Sequence, residues 1–554
     1  MPPRVETCRP RRFARTVPVT DAPRWYENAI IYAIDVGTFH DGNGDGVGDF
    51  RGVTDKLDYL SWLGVDALWL MPFYASPHRD NGYDVSDHLS VDDRHGSLSD
   101  FVVFMREAER RGLRVLPDLV LNHTSDEHPW FAAARQSRLA PERAYYVWTD
   151  DPAKEEPRDE VFPGRQCGTW TWEPQVGAWY LHHFYPFQPD LDTGNPAVQR
   201  EMRAILEFWL RLGASGFRID AAPYLCTCNG TATDENAPEI LATMRGWAAR
   251  HNPEAILMAE ADLPADELGA YFGEPGQRQL LFDFLRNQHL FLALSREDAE
   301  PLRKLELPEP PDGGRWLTFL RHHDELTLAR LDEEEREDVF AAFAPDEDMR
   351  IFDRGLRRRL APMFGGPGPR LDLVLSLLFS LPGTPMLYYG DDIGMGEDLS
   401  LPERYPVRTP MQWSPEGPHG GFSDVPPDTL EWPVISGGAW GFERVNVATE
   451  REDPDSHLCR VRRLIAARKA CPVIGRSDWE PLDAGDPAVF AHRASADGEA
   501  MLFLHNLSPS PRTAELAGVD LSDAEPVWAS GDDPLALEPY GYRWLRLRGE
   551  ANPG

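Results

Sequence analysis

The chain has 554 residues, enough for two or three domains or for one decorated barrel, and its apolar content of 42% can fill a large core. A formal net charge of −35 argues against nucleic acid as a partner, because phosphates would be repelled, whereas an uncharged ligand would not be affected. No apolar run reaches the ~18 residues of a membrane-spanning helix, and the Arg- and Pro-rich N-terminus lacks the apolar stretch of a secretory signal.

The cysteines favour reduced thiols in a cytoplasmic protein. They stand at positions 8, 167, 226, 228, 459 and 471, without the C-x-x-C spacing of zinc sites. Disulfides are the alternative that the sequence leaves open.

The predicted elements begin after an N-terminal arm, residues 1–22. Eight short apolar segments alternate with helical patterns, which predicts an α/β fold, a (β/α)8 TIM barrel. The predicted strands are residues 30–36, 65–72, 113–120, 216–221, 256–260, 280–284, 316–321 and 385–389.

A loop directly after the first strand has the pattern of a cation site. Its alternate positions are Asp41, Asn43, Asp45, Val47 and Asp49, with a glycine between each pair of neighbours. Oxygen ligands on a tightly turning loop suit a hard cation such as Ca²⁺ or Mg²⁺. The position where an EF-hand has its bidentate glutamate is Gly52, so the loop is not an EF-hand. A metal-free run of Asx turns is the alternative.

Residues 124–190 interrupt the alternation of strands and helices and divide the barrel into residues 23–123 and 191–474, and a second interruption, residues 331–362, lies within the later part. Residues 124–190 are rich in Trp, Tyr, His and Pro, which predicts an inserted subdomain after strand 3 that forms a wall of the pocket. Residues 331–362 alternate acidic and basic runs, which indicates a solvated helical lid rather than a nucleic-acid surface.

Short alternating runs from residue 475 to 554 predict a C-terminal antiparallel β-domain.

Polar residues end four of the predicted strands. Asp118 begins D-L-V-L-N-H, Arg218 and Asp220 share one strand face, Glu260 ends I-L-M-A-E, and Asp324 ends F-L-R-H-H-D. A lone R-x-D is more often a structural ion pair, but catalytic groups cluster at the C-terminal ends of barrel strands. These four motifs in this order resemble the α-amylase superfamily, glycoside hydrolase family 13, whose members are retaining glycoside hydrolases and transglycosylases.

The resemblance implies a role for each carboxylate. Asp220 would be the nucleophile, Glu260 the general acid/base, and Asp324 the group that stabilises the positively charged sugar. A retaining mechanism expects the first two carboxyl groups ~5–5.5 Å apart. Arg218 would keep Asp220 ionised, and a drier setting near other carboxylates would raise the pKa of Glu260.

The resemblance also implies substrate-binding and metal residues. In the family, Tyr83 and Asp84 form the floor of the glucose pocket, and Arg408 pairs with Asp84. Two histidines, His123 and His323, would bond glucose hydroxyls. The further pocket residue is Gln188, in the Q-P-D-L signature of the oligo-1,6-glucosidase and trehalose synthase branch. The 41–49 loop binds a cation in oligo-1,6-glucosidase-like members, and no organic cofactor is expected.

Longer stretches resemble the trehalose synthase family. They include W-L-G-V-D-A-L-W-L, N-G-Y-D-V-S-D, L-Y-Y-G-D-D-I-G-M-G and V-R-T-P-M-Q-W. That family interconverts maltose and trehalose through a covalent glucosyl-enzyme, which implies a disaccharide substrate and no membrane partner; a homo-oligomer is a further option. The alternatives are an α-glucosidase that hydrolyses short α-linked gluco-oligosaccharides, or glucosyl transfer to another acceptor. Non-catalytic transporter subunits with this barrel lack the carboxylates that are present here.

Three departures from the family pattern bear on acceptor specificity. His322 stands where the fourth motif usually has Asn, and Asp262 stands where trehalose synthases commonly have Asn. A second calcium site of the family uses positions that match Asn122 and Asp190, with a Glu just after P-Y-L. Here that place reads C-T-C around Thr227, so the occupancy of this second site stays open.

Overall fold

The computed structural model describes residues 24–155, 158, 160–225, 237–426, 429–528 and 533–547. The predicted N-terminal arm (1–22) and Thr227 lie outside these ranges.

The strands follow the predicted order along the chain. They are β1 (Ile31–Ile34), β2 (Ala67–Leu70), β3 (Arg114–Leu119), β4 (Trp148–Thr149), β5 (Trp170–Glu173), β6 (Ala178–Leu181), β7 (Gly216–Ile219), β8 (Ile256–Ala259), β9 (Gln279–Phe282), β10 (Gly314–Phe319), β11 (Leu326–Thr327), β12 (Arg350–Ile351), β13 (Gly355–Leu356), β14 (Thr384–Tyr388), β15 (Glu480–Leu482), β16 (Val489–Ala496), β17 (Glu499–Asn506), β18 (Arg512–Thr513), β19 (Glu525–Trp528), β20 (Ala536–Leu537) and β21 (Tyr542–Leu547).

Helices separate the barrel strands and support their outer face. They are α1 (Val36–Phe39), α2 (Phe50–Asp55), α3 (Leu57–Leu63), α4 (Leu98–Arg110), α5 (Pro129–Ala134), α6 (Pro196–Arg211), α7 (Ala237–His251), α8 (Ala265–Phe272), α9 (Phe284–Arg296), α10 (Glu300–Arg303), α11 (Glu333–Phe343), α12 (Leu360–Met363), α13 (Pro369–Ser380), α14 (Val447–Glu452), α15 (His457–Lys469) and α16 (Val473–Arg476). Within the described residues, none of them combines the length and hydrophobicity needed to cross a membrane.

Eight parallel strands close the barrel in the order β1-β14-β10-β9-β8-β7-β3-β2, which confirms the predicted fold class. Their residues are almost entirely buried, as expected for a parallel sheet covered on both faces. The chain between β1 and β2 contains two consecutive helices, α2 and α3, which meet at Lys56.

Helix α6, which leads into β7, shows why the local sequence folds this way. Asn195 caps it by accepting the backbone N–H of Ala197, and Pro196 occupies the first helical position, where no N–H is needed. Its apolar residues recur at helical spacing and are buried against the barrel: Val198, Met202, Ile205, Leu206, Trp209 and Leu210. Packing of this face fixes the start of β7 and therefore the position of the polar residues at its end.

The segment between β3 and β7 folds as a small unit over the barrel mouth. It contains α5 and an antiparallel sheet in the order β4-β6-β5. Its two ends meet, because His123 forms a bridge with Asp190 and the N–H of Leu191 donates to the carbonyl of Asn122 at 2.8 Å.

The predicted helical lid, residues 331–362, is only partly helical. It contains α11 and the short strands β12 and β13, which pair with β11. The tip between these strands holds Phe352 and Asp353 at positive φ of 56° and 57°.

The C-terminal part contains the five-stranded antiparallel sheet β15-β16-β17-β21-β19 and a second pair, β18-β20. The predicted boundary at residue 475 falls inside α16, and the first strand of the sheet begins at Glu480.

Candidate active site

The polar strand ends come together at the C-terminal mouth of the barrel. Asp220 follows β7 directly and Glu260 follows β8 directly, while Asp324 lies five residues beyond β10. All three line one cavity of about 390 Å³, a volume in the range of small-molecule sites.

Arg218 links two of the predicted catalytic carboxylates. Its Nη1 lies 2.6 Å from Oδ1 of Asp220, and its Nη2 lies 2.6 Å from Oε2 of Glu260. Glu260 also accepts the N–H of Ala221 at 3.1 Å, and Ala221 has a positive φ of 47°. A non-glycine residue in this conformation costs free energy, so the chain reversal after Asp220 is maintained by its surroundings.

A third, fully buried carboxylate completes the surroundings of Arg218. Both oxygens of Asp118 lie 2.9 Å from Nη1 of Arg218, and Oδ2 accepts the Trp69 indole N–H at 3.1 Å and the Tyr83 hydroxyl at 3.0 Å. The guanidinium also contacts two aromatic rings, with centroid distances of 5.3 Å to Trp69 and 5.6 Å to Tyr83. Arg218 is 1% exposed, so these partners offset the cost of burying its charge.

Burial dominates the protonation of the two linked carboxylates. It raises the pKa of Asp220 to about 7 and that of Glu260 to about 7, and Arg218 opposes both shifts. The charge of Asp220 is a further cause of the raised pKa of Glu260. The pair therefore retains a proton near neutral pH, as an acid catalyst requires.

Asp324 has the opposite electrostatic setting. Its Oδ1 lies 2.7 Å from Nη1 of Arg404 and 2.9 Å from Nη2 of Arg408, and its Oδ2 lies 3.0 Å from Nε2 of His323. Although burial alone would raise the pKa of Asp324, His323 and the two arginines hold it well below the ordinary value. Asp324 is therefore ionised, which suits a group that stabilises positive charge on a sugar.

The predicted pair of Asp84 with Arg408 is wrong. Asp84 is fully buried and accepts the Ser76 hydroxyl at 2.9 Å and the backbone N–H of Arg79 at 3.2 Å, and it does not line the cavity. Asp80 lines the cavity instead, and its Oδ1 accepts Nη2 of Arg404 at 2.8 Å.

The other predicted binding residues divide into two groups. Tyr83 and His123 line the cavity. Gln188 lies behind it and donates to Oδ2 of Asp80 at 2.9 Å, so it positions that carboxylate.

Of the two histidines in H-H-D, the one predicted to bind substrate, His323, does not line the cavity. His322 lines the cavity, whereas His323 is fully buried behind it, with its ring stacked on that of Tyr83 at a centroid distance of 5.3 Å. Nε2 of His323 lies 2.7 Å from the Tyr83 hydroxyl. Burial lowers the pKa of His322 to about 3 and that of His323 well below its ordinary value, so both rings are neutral.

The inserted segment and the lid meet above the cavity. The ring of Phe162 lies 5.0 Å from the ring of Phe352, and Arg354 donates to the Val161 carbonyl at 2.7 Å. These contacts join the inserted segment to the lid.

Asp262, which differs from the family pattern, forms a charged pair in the wall of the cavity. Oδ1 of Asp262 lies 2.9 Å from Nε of Arg330, and both residues line the cavity. This contact connects the segment after β8 to the segment after β11.

The 41–49 loop is a compact turn whose carboxylates accept backbone N–H groups. The N–H of Asn43 lies 3.2 Å from Oδ1 of Asp41 and 2.9 Å from Oδ2 of Asp49, and Asp45 accepts the N–H of Val47 at 2.9 Å. Burial raises the pKa of Asp49, and the charge of Asp41 adds to this shift. The loop offers side-chain oxygens at 41, 43, 45 and 49, the donor type that a hard cation takes, but the carboxylates of Asp41, Asp45 and Asp49 do not all come together, and a bound cation stays a prediction.

The residues of the second metal site have other partners. Asn122 donates to Oδ1 of Asp190 at 3.3 Å, and Oδ2 of Asp190 makes a short contact with Nδ1 of His183. Oδ1 of Asn122 is buried without a hydrogen-bond partner. Two residues are too few to assign a metal here.

Several cavity residues did not emerge from the sequence analysis. They include Asp80, Glu160, Phe162, Phe184, Tyr224, Leu263, Phe284, Glu325, Thr327, Arg330, Arg354 and Arg404. A signal existed for two of them, because D-N-G-Y-D contains two aspartates and R-Y-P-V-R contains two arginines.

Comparisons with known proteins agree with this geometry. A family model described as "Alpha amylase, catalytic domain" matches residues 34–309 and 356–476. The trehalose synthase of Pimelobacter sp. (strain R48) is 38% identical over 564 residues, which cover 97% of this chain and 98% of that protein. The trehalose synthase of Thermus thermophilus is 40% identical over 95% of this chain, but the chain spans only 56% of its length. The crystal structure of the α-glucosyl transfer enzyme XgtA aligns with a TM-score of 0.76 and 27% identity, covering 95% of this chain and 100% of that one.

Proposed function

The chain belongs to the α-amylase family, and from this membership we propose that it interconverts maltose and trehalose by retaining glucosyl transfer. Its similarity to trehalose synthases over 95–97% of the chain supports this activity. The observation that carries the proposal is that the buried Arg218 binds both Asp220 and Glu260, which line one cavity together with the ionised Asp324.

In the first half-reaction, Asp220 attacks the anomeric carbon of the non-reducing glucose of maltose. The C–O bond to the second glucose breaks, and Glu260 delivers its proton to that oxygen, which leaves as a glucose hydroxyl. Asp324 faces the same cavity and stabilises the positive charge that develops on the ring.

In the second half-reaction Glu260 acts as a general base, because the negative charge of Asp220 is no longer present. Once Asp220 is an ester, it no longer raises the pKa of Glu260, so the carboxylate formed can act as a base. Glu260 takes the proton of the anomeric hydroxyl of the retained glucose, whose oxygen attacks the glucosyl carbon. The ester bond breaks, trehalose forms, and Asp220 is regenerated as a carboxylate.

The contact between the inserted segment and the lid supports transfer to the retained glucose over hydrolysis. Phe162 lines the cavity and contacts Phe352 of the lid, and the Asp262–Arg330 pair also lines the cavity. A released glucose held there competes with water at a high effective concentration.

The test is proton NMR of maltose incubated with the enzyme and excess isotopically labelled glucose. Trehalose with little label is expected, because the freed glucose is recaptured. Trehalose rich in label would indicate transfer to an external acceptor. Glucose without trehalose would overturn the proposal in favour of an α-glucosidase.

We also propose a structural Ca²⁺ or Mg²⁺ on the 41–49 loop, with ligands from Asp41, Asn43, Asp45, Asp49 and the carbonyl of Val47. The convergence of Asp41 and Asp49 on one N–H supports it. The ion would hold the loop after β1 in place and takes no part in the glucosyl transfer.

A cytoplasmic location is proposed on the state of the cysteines. Among the described residues, Cys167, Cys459 and Cys471 are free thiols, which suits a reducing compartment. The oligomeric state stays a prediction, to be measured by sedimentation.

A further inference from the structure

The outer face of the inserted sheet carries three tryptophans. Trp170 and Trp172 alternate along β5, and Trp172 pairs directly with Trp179 on β6, so all three side chains share one face. Trp172 is 46% exposed, which makes it the most exposed tryptophan in the part of the chain that the structure describes. We call Trp170, Trp172 and Trp179 the tryptophan platform.

Buried apolar residues support the platform. Trp170 packs on Val147 and Leu181, which are 2% and 0% exposed. The opposite face of the sheet holds Trp148 and Tyr180, which pack on Phe131 of α5. Trp172 and Trp179 therefore lie on the face of the sheet opposite the one that packs on α5.

We propose that the platform binds α-linked glucan chains, at a site separate from the catalytic cavity. None of its tryptophans lines that cavity. The rings of Trp172 and Trp179 lie 5.5 Å apart and are inclined by 59°. Flat aromatic rings contact the apolar faces of pyranose units, and successive units of an α-linked chain are likewise turned relative to each other. The choice of α-linked glucose rests on the proposed function.

The size and charge of the surface disfavour a protein partner. A tryptophan side chain offers up to about 250 Å², so three partly exposed rings present at most roughly 300 Å². A stable protein interface needs about 800 Å² from each partner. A second copy of this chain would also bring another −35 charges, whereas a glucan is neutral.

The rim offers polar groups for sugar hydroxyls. Thr149 on β4 pairs directly with Trp179 and shares its face of the sheet. Arg138 binds the carbonyl of Val176 in the β5–β6 turn at 2.8 Å and pairs with Asp150 at 2.6 Å.

The experiment measures binding without turnover. Electrophoresis through gels containing glycogen, and titration with β-cyclodextrin, are run on the wild type, Trp172→Ala, Trp172→Phe and Trp179→Ala. β-Cyclodextrin has no chain end, so it cannot place a terminal glucose in the catalytic cavity. Leu139→Ala is the matched control, because Leu139 is 93% exposed on the same segment and has no ring.

We expect roughly tenfold weaker binding for Trp172→Ala and Trp179→Ala, while Trp172→Phe and Leu139→Ala stay close to the wild type. Conversion of maltose should be unchanged in all four variants. Retardation of Trp172→Ala equal to the wild type, or a change in its sedimentation that reveals a self-interface, would overturn the proposal. Because binding is read without catalysis, a failed maltose assay would refute the proposed function and leave this result standing.

Discussion

Arg404 and Asp80 are joined by a contact of 2.8 Å between Nη2 and Oδ1, which ties the segment after β14 to the loop after β2. The other end of the same guanidinium lies 2.7 Å from Asp324. One arginine therefore aligns two carboxylates that line the cavity, and this end of the cavity is where we place the non-reducing glucose.

Asp80→Asn should lower kcat/KM for maltose by about 10- to 100-fold, because a hydrogen bond to a charged group contributes roughly 1.5–3 kcal/mol. Asp84→Asn is the matched control, since Asp84 lies four residues away but does not line the cavity. Steady-state kinetics on maltose separate the two variants. A greater loss for Asp84→Asn would restore the pairing expected from the family pattern.

Asp220→Asn should fold normally and lose several orders of magnitude in activity, because the covalent intermediate cannot form. A fluorinated glucosyl substrate should label Asp220 in the wild type, as mass spectrometry of peptides would show. Asp262→Asn serves as the control that keeps labelling, because Asp262 bonds Arg330 and not Arg218. Label on a different carboxylate would refute the assignment.

Glu260→Gln should stabilise the protein at pH 8 and change its stability little at pH 4. The folded pKa of about 7 lies above the unfolded value of about 4.3. Between these values the folded state binds more protons, so the free energy of unfolding of the wild type falls as pH rises from about 4 to 7. Glutamine cannot titrate and escapes this loss.

The measurement is denaturant unfolding at a series of pH values. The difference between variant and wild type should grow with pH and level off above pH 7, reaching on the order of 2 kcal/mol. A difference that is constant from pH 4 to 8 would show that Glu260 has an ordinary pKa.

Asp262→Asn should raise the ratio of trehalose to free glucose formed from maltose. The change removes the charge that pairs with Arg330 and restores the residue common in trehalose synthases. Quantification of both sugars after partial conversion gives the ratio. Arg330→Gln breaks the same pair from the other side, and an unchanged ratio in both variants would exclude this pair from acceptor selection.

Chelation should lower the melting temperature of the wild type by a few degrees, and added Ca²⁺ should restore it, because a ligand that binds the native state stabilises it. The double variant Asp41→Asn/Asp45→Asn should respond to neither. Asp151→Asn is the control, since Asp151 caps an Asx-type turn by accepting the N–H of Ala153 at 3.3 Å. Identical melting of the wild type with and without chelator would assign a metal-free loop.

The sequence by itself determined the barrel and the three carboxylates at its mouth. Both follow from short-range patterns: apolar strands of 4–6 residues at β7, β8 and β10, each followed by polar groups that parallel strands bring to one end. These strand-end motifs carry the resemblance to the α-amylase family, and that resemblance gives each carboxylate its proposed role.

Only the tertiary structure decided which neighbours complete the site. Asp80 and Asp84 both belong to D-N-G-Y-D, but Asn81 and Gly82 adopt positive φ of 48° and 92°, and this turn leaves Asp80 in the cavity and Asp84 in the core. The partner of Asp80 is Arg404, 324 positions along the chain. The contact between Phe162 and Phe352 likewise joins two distant parts of the chain, the inserted segment and the lid. Such contacts depend on how distant loops pack, which no local periodicity encodes.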